Sequence, residues 1–134
     1  MIEVADDSIK QLGGSEKSHS PPQAISPVSL GQQTLIGEIV DSKCFLGVMN
    51  PGALTPHRAC AIRCISGGIP PMLLVRQAHG NVSSFLLVSR DDKPVNKQVL
   101  NLVAEPVEIT GEVERQGELL ILRADPATYR RVAR

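Results

Sequence analysis

The sequence predicts a mainly β fold, built as a small barrel of five short strands, on three observations. Its 134 residues suit a single domain. Five segments show the apolar or alternating pattern of strands, and glycine interrupts two of them, as expected where a strand bends to close a barrel. The chain is 42% hydrophobic but only 2% aromatic, so Val, Leu and Ile must build the core.

Each of the five predicted strands carries its own signal. The first, TLIGEIVD, is apolar and β-branched, and Gly37 inside it marks a bulge or bend. The second and third, PMLLVR and SFLLVS, flank a turn containing Gly80, which suits a hairpin. The fourth and fifth, PVEITGEVERQ and ELLILRA, form a second hairpin around a tight Gln116–Gly117 turn. The five strands cover residues 34–41, 71–76, 84–89, 106–116 and 118–124.

A short helix is predicted before the fourth strand, over residues 95–103. Its apolar side chains fall on one helical face: Val95, Val99, Leu102 and Val103. Five short strands with glycine bends and one such helix favour a barrel of OB type. A β-sandwich is the alternative architecture.

The N-terminal residues 1–33 are predicted to be a flexible arm or tether, and residues 34–134 the barrel domain. Residues 13–33 are rich in Gly, Ser, Pro and Gln, a composition that buries too little apolar surface to offset the entropy of ordering. No apolar run approaches the roughly 20 residues that span a bilayer. The opening MIEVADDSIKQL is too acidic and polar for a signal peptide.

Charge and composition exclude several functions. Basic and acidic residues each number 14, so the net charge is zero and no nucleic-acid partner is expected. The near absence of aromatic rings removes the platforms on which single-stranded bases stack. Glu38 and Asp41 have odd spacing on one strand and face opposite sides, so they do not form a catalytic carboxylate pair. A non-enzymatic protein is therefore expected.

The segment between the first two strands carries the residues that can bind a metal or react chemically. Thr55 and Pro56 predict the start of a helix over residues 56–66, and Gly67–Gly68 predicts its end. Side chains at positions i, i+3 and i+7 of a helix share one face. Three potential ligands have that spacing here: His57, Cys60 and Cys64.

Cys44, at the end of the first strand, and Met49, in the next loop, can approach the same face, and three interpretations remain open. In one, Cys44 forms a disulfide with Cys60 or Cys64 and staples the insertion to the barrel. In another, Cys44, His57, Cys60 and Cys64 ligate Zn²⁺, or Cu(I) if Met49 replaces one ligand. In the third, one cysteine is a reactive thiol near His57.

The segment IVDSKC…HRACAIRCISGGIPP resembles a bacterial family of small exported OB-like domains. The family motif is D-S-x-C, then H-x-x-C-x-x-x-C, then a glycine pair and a proline. The matching residues are Asp41, Ser42, Cys44, His57, Cys60, Cys64, Gly67, Gly68 and Pro70. The resemblance covers about residues 34–124 and implies an OB-type barrel in the periplasm or another extracytoplasmic location. It implies no activity.

Together these observations predict an accessory or binding module, with the N-terminal arm attaching it to a membrane-associated complex. Its Cys/His insertion is expected to be either stapled by a disulfide or loaded with metal. The alternative function is a thiol-redox protein or one that handles copper or zinc. That alternative uses Cys44, His57, Cys60 and Cys64.

Overall fold

A computed structural model describes residues 26–47, 49–78 and 80–133. In this part of the chain six strands form one sheet, ordered β1-β2-β3-β5-β4-β6, which closes through pairing of β1 with β4. The strands are β1 (Val28–Asp41), β2 (Pro71–Arg76), β3 (Val82–Val88), β4 (Pro106–Gln116), β5 (Leu119–Arg123) and β6 (Arg130–Arg131). β3 and β5 run parallel, and the other pairs are antiparallel. The predicted five-stranded OB-like barrel is confirmed, with β6 as an extra strand.

β1 closes the barrel because it pairs on both of its edges. Its first part pairs with β4, and from Glu38 onward it pairs with β2. At Gly37, just before this change of partner, an added Cβ would lie 2.5 Å from the carbonyl oxygen of Leu74. Only glycine fits so close to the neighbouring backbone. The bend predicted at Gly37 therefore carries the end of β1 toward β2.

The start of β1 corrects the prediction for residues 28–33, which were expected to belong to the flexible arm. Val28 pairs with Arg115 and Gln32 with Glu112, so this stretch is part of the barrel. Its side chains are mostly exposed, and its order comes from backbone hydrogen bonds to β4. Amino-acid composition indicates how much apolar surface the side chains can bury. It holds no information on backbone pairing, so it could not predict this part of β1. The rest of the predicted arm, residues 1–25, lies outside the described residues.

One main hydrophobic cluster fills the barrel and extends under the helices. Its fully buried members include Ile39, Leu73, Leu87, Ile109 and Leu122. A smaller cluster lies beneath the insertion and consists of Val40, Ala53, Met72 and Leu74, with Phe45 packed against it. The segment between β1 and β2 also reaches the main cluster, because Ala61 and Ile65 are buried members of it.

Within the described ranges, three short α-helices lie between the strands: α1 (Ser42–Leu46), α2 (Arg58–Ser66) and α3 (Asn96–Val99). The predicted helix 56–66 is a 3₁₀ turn, Thr55–His57, followed by α2, and the predicted helix 95–103 is α3 followed by a second 3₁₀ turn. Its predicted apolar face is buried, as expected. Among the described residues, no helix has the length and apolar character needed to cross a membrane.

Candidate metal centre

Asp41 joins the barrel to the candidate site. It is the last residue of β1, where it pairs with Pro71, and it is also the N-cap of α1. Its Oδ1 accepts a hydrogen bond of 2.7 Å from the backbone N–H of Cys44. An aspartate three residues before the donor is a common N-cap arrangement. Cys44 is therefore held in a fixed position at the end of β1.

The first turn of the insertion is also tied to its last residues. The backbone N–H of Ser42 donates to the carbonyl of Pro70 at 3.2 Å. Gly68 has φ +101°, its N–H donates to Ile65, and the N–H of Ile69 donates to the carbonyl of Cys64. This pair of bonds is a Schellman motif, which needs glycine at the left-handed position. The glycine pair and proline of the motif thus end α2 and return the chain to β2.

His57 and the two cysteines of α2 meet Cys44 on one side of the helix. The Sγ of Cys44 lies 3.8 Å from the Sγ of Cys60 and 3.8 Å from the Sγ of Cys64. A ring nitrogen of His57 lies within 4.8 Å of the Cys44 and Cys60 sulfurs. The three cysteines are free thiols. Cys44 therefore contacts the helix face that the sequence predicts it to approach.

The sulfur separations fit a shared metal ion. Two thiolates bound to one tetrahedral Zn²⁺ at about 2.3 Å lie about 3.8 Å apart. A disulfide requires about 2.0 Å between the sulfurs. Both distances from Cys44 therefore equal the edge of a zinc tetrahedron, and each is longer than a covalent bond.

A buried carboxylate orients the histidine. Oδ2 of Asp41 lies 2.9 Å from Nε2 of His57, with 0% and 4% of the two residues exposed. Burial alone would raise the pKa of Asp41, but hydrogen bonds from the Cys44 N–H and from His57 outweigh it and lower the pKa. The ionised carboxylate only accepts hydrogen bonds, so Nε2 donates to it, and in a neutral imidazole Nδ1 is then the nitrogen with a free lone pair. A carboxylate that orients a metal-binding imidazole in this way recurs in zinc sites.

The environment of Cys44 suppresses its reactivity in the absence of a cation. Burial, together with the nearby Asp41 carboxylate and the two neighbouring thiols, raises the pKa of Cys44 to about 12. Such a thiol is protonated at neutral pH and is a poor nucleophile. A bound cation reverses this preference, because thiols lose their protons when they coordinate metal. Cys44 is thus a poor nucleophile in the metal-free protein, whereas a coordinated cation would hold it as a thiolate.

Met49 does not share the buried position of the other predicted ligands. It lies in the loop after α1, and 47% of its surface is exposed. Cys44 is buried, and Cys60 and Cys64 are half-buried. The structure thus places Cys44 in two groups of potential ligand atoms, one with His57 and Cys60 and the other with Asp41 and Cys64. It leaves Met49 at the surface.

Asp41 is the site residue that sequence reasoning missed. It matches the D-S-x-C motif and is weighed with Glu38 as a carboxylate pair, but neither observation assigns it a place in the site. Glu38 instead accepts a hydrogen bond from the backbone N–H of Leu54. The available signal was the Asp-x-x-Cys spacing, which predicts an N-cap at Asp41. Nothing in that spacing identifies His57 as the partner of the second carboxylate oxygen.

Comparisons with protein-family models, with curated proteins and with solved structures found no significant match to this chain. The resemblance to exported OB-like domains therefore stays a prediction. The case for function depends on the geometry of the site.

Proposed function

We propose that this protein is a non-enzymatic binding module whose insertion holds one Zn²⁺ ion. The ligands in this proposal are Cys44, His57, Cys60 and Cys64. The observation that carries it is the pair of 3.8 Å separations from the Cys44 sulfur to the two sulfurs of α2. Three thiolates and one imidazole make a closed tetrahedral set, which is typical of structural zinc.

Asp41 acts in this proposal as a positioning residue and not as a ligand. One of its oxygens accepts the Cys44 N–H and the other accepts from His57. These two bonds fix a thiolate and the imidazole relative to each other before any ion arrives. Pre-orientation of this kind strengthens metal binding without adding a bond to the metal.

Zinc would add a cross-link to the insertion. Ala61 and Ile65 of α2 join the main cluster, and the rest of the insertion's apolar packing is a small cluster of four buried residues and Phe45. An ion bound by Cys44 of α1 and by the ligands of α2 joins the two helices at the end of the barrel. The free energy of metal binding then becomes free energy of folding for this segment.

The same proposal includes the accessory role, the extracytoplasmic location and attachment to a membrane-associated complex through the residues that precede β1. They are supported by the resemblance of the D-S-x-C and H-x-x-C-x-x-x-C motif to exported OB-like domains. The zero net charge is compatible with a protein partner and offers no attraction for nucleic acid.

A second candidate function is the handling of copper or zinc, with transfer of the ion to other proteins. Cys60 and Cys64 are only half-buried, so an incoming ligand can reach the sulfurs on the side of α2. Thiolates are soft ligands and also bind Cu(I). Rapid loss of bound metal to a competing chelator would favour this function over a structural one.

The test is metal binding by the full chain purified under reducing conditions. We expect one Zn²⁺ per chain by native mass spectrometry, and thiolate charge-transfer bands with tetrahedral d–d bands when Co²⁺ replaces it. Cys44→Ser should weaken the thiolate bands, because one of the three proposed thiolates is lost, whereas the control Met49→Leu should retain their full intensity. Failure of the reduced chain to bind Zn²⁺ or Co²⁺ would overturn the proposal, and preference for Cu(I) lost in Met49→Leu would favour the copper alternative.

A further inference from the structure

We infer that the metal centre is also a peroxide-responsive switch, in which oxidation of Cys44 together with Cys60 or Cys64 forms a disulfide and releases Zn²⁺. This inference rests on the proposed zinc site and adds its regulation. It follows from the unequal positions of the three thiols, one on α1 and two on α2.

Cys44 is the common partner in every disulfide that this arrangement allows. Its sulfur is 3.8 Å from each of the other two sulfurs, so a shift of less than 2 Å brings either pair to bonding distance. Cys60 and Cys64 lie one turn apart on α2, where successive side chains run side by side and do not converge. Oxidation therefore yields Cys44–Cys60 or Cys44–Cys64 and leaves the third thiol free.

Accessibility determines which sulfur reacts first. Cys44 is 7% exposed, whereas Cys60 and Cys64 are half-buried. Coordination would keep these half-buried sulfurs as thiolates, the form that reacts with peroxide. An α2 thiolate attacks hydrogen peroxide, its sulfur gains an oxygen to become a sulfenic acid, and hydroxide leaves.

The second step uses Cys44 as the resolving cysteine. Its thiolate attacks the sulfenic sulfur, the S–S bond forms, and a second hydroxide leaves. In total two thiolates lose two electrons to one hydrogen peroxide, which is reduced to two hydroxide ions. Two of the four ligands are consumed, and a single thiolate with His57 cannot complete the tetrahedral set of a structural zinc site. Reduction by an added dithiol regenerates the thiols and the site.

The experiment treats the zinc-loaded full chain with hydrogen peroxide and follows zinc release, thiol number and disulfide position together. We expect one Zn²⁺ released per chain, a fall from three titratable thiols to one, and Cys44 in every disulfide mapped by mass spectrometry. Dithiothreitol followed by Zn²⁺ should restore the starting state. A Cys60–Cys64 disulfide, or zinc release without any disulfide, would overturn the inference.

Single substitutions make the assignment sharper. Cys60→Ser should form only the Cys44–Cys64 bond, and Cys64→Ser only the Cys44–Cys60 bond. Cys44→Ser should form no intramolecular disulfide and should accumulate sulfinic acid on α2, because the resolving thiol is gone. An intramolecular disulfide in Cys44→Ser would overturn the inference even if the zinc site is correct.

The two proposals fail in different measurements. A reduced chain that binds no Zn²⁺ overturns the proposed function, and with it the release step, whatever its thiols do. A chain that binds one Zn²⁺ but keeps three thiols and its metal under excess peroxide overturns only the switch.

Discussion

The barrel and the insertion between β1 and β2 are stabilised by different chemistry. The barrel closes through a continuous ladder of strands around fully buried side chains such as Ile39 and Leu122. The insertion contributes two buried residues of α2 to the main cluster and otherwise packs on a small apolar cluster. Its buried polar groups, Asp41 and His57, are hydrogen-bonded to each other beside the thiols. The barrel's stability should therefore depend on packing, whereas the order of the insertion should depend on what the thiols bind.

The largest expected effect comes from a cavity in the barrel. Leu73 lies on β2, is 0% exposed and belongs to the main cluster. Leu73→Ala should lower the free energy of unfolding by about 2–5 kcal/mol, because the loss of buried methyl groups leaves a void. Urea denaturation with and without Zn²⁺ should give the same loss. A loss that disappears when zinc is present would mean that the two regions are not independent.

Removal of zinc should act on the insertion and leave the barrel folded. At a free Zn²⁺ concentration of 100 to 1,000 times the dissociation constant, bound metal stabilises its folded site by about 2.7–4.1 kcal/mol. Chelation should therefore increase amide hydrogen exchange in α1 and α2 and leave exchange in β4 and β5 unchanged. Equal acceleration in the strands would contradict the division between the two regions.

Asp41→Asn tests how far pre-orientation contributes to binding. The amide keeps the size of the carboxylate but loses its charge, so it orients His57 less strongly. We expect Zn²⁺ affinity to fall by about 10–100-fold, the range typical for partners of metal-binding histidines. Competition with a chromophoric chelator measures the change.

The matched control for Asp41→Asn is Glu38→Gln, on the same strand, whose carboxylate accepts the Leu54 N–H. Its Zn²⁺ affinity should stay within about twofold of the parent, since surface changes away from the ligands have small effects. An equal loss in both variants would mean that β1 charge, and not the contact with His57, is responsible.

The smallest effect at neutral pH comes from the titration of Cys44 in the zinc-free protein. Folding raises the pKa of Cys44 from 9.0 to about 12. The thiol therefore contributes stability that is fully present below pH 9 and is lost as the pH rises toward 12. The free energy of unfolding, measured with urea across this range, should fall less steeply in Cys44→Ser.

Tyr129 provides the control for this alkaline loss. Burial raises its pKa to about 12 as well, and its hydroxyl has no hydrogen-bond partner among the described residues. Tyr129→Phe should remove the part of the alkaline stability loss that comes from Tyr129 and leave the part that comes from Cys44. If the free energy of unfolding of the single variant Tyr129→Phe did not fall across the alkaline range, the assignment of part of this loss to the Cys44 thiol would be contradicted.

The sequence predicted those features that side-chain periodicity encodes. β4 was found because Val107, Ile109 and Val113 alternate with polar residues and are buried on one face. Residues 28–33 were missed because they bury little and are ordered by backbone pairing. β6, at Arg130–Arg131, is too short and too polar to show any pattern.

The candidate site also has some features that local sequence spacing predicts and others that it does not. The shared face of His57, Cys60 and Cys64 follows from helical spacing within one segment, and the structure retains it. The contact between Asp41 and His57 depends on the path of the intervening loop, which no local pattern specifies. The exposed position of Met49 depends on the same path.

The change of partner along β1 has a consequence for synthesis of the chain on the ribosome. The part of β1 that carries Asp41 pairs with β2, whereas the part that closes the barrel pairs with β4, much later in the sequence. A nascent chain therefore contains the four proposed ligands and both strands that flank them before the strand that closes the barrel exists. Because segments made earlier can fold first, metal capture can precede barrel closure, and the loaded segment can serve as a template on which the remaining strands assemble.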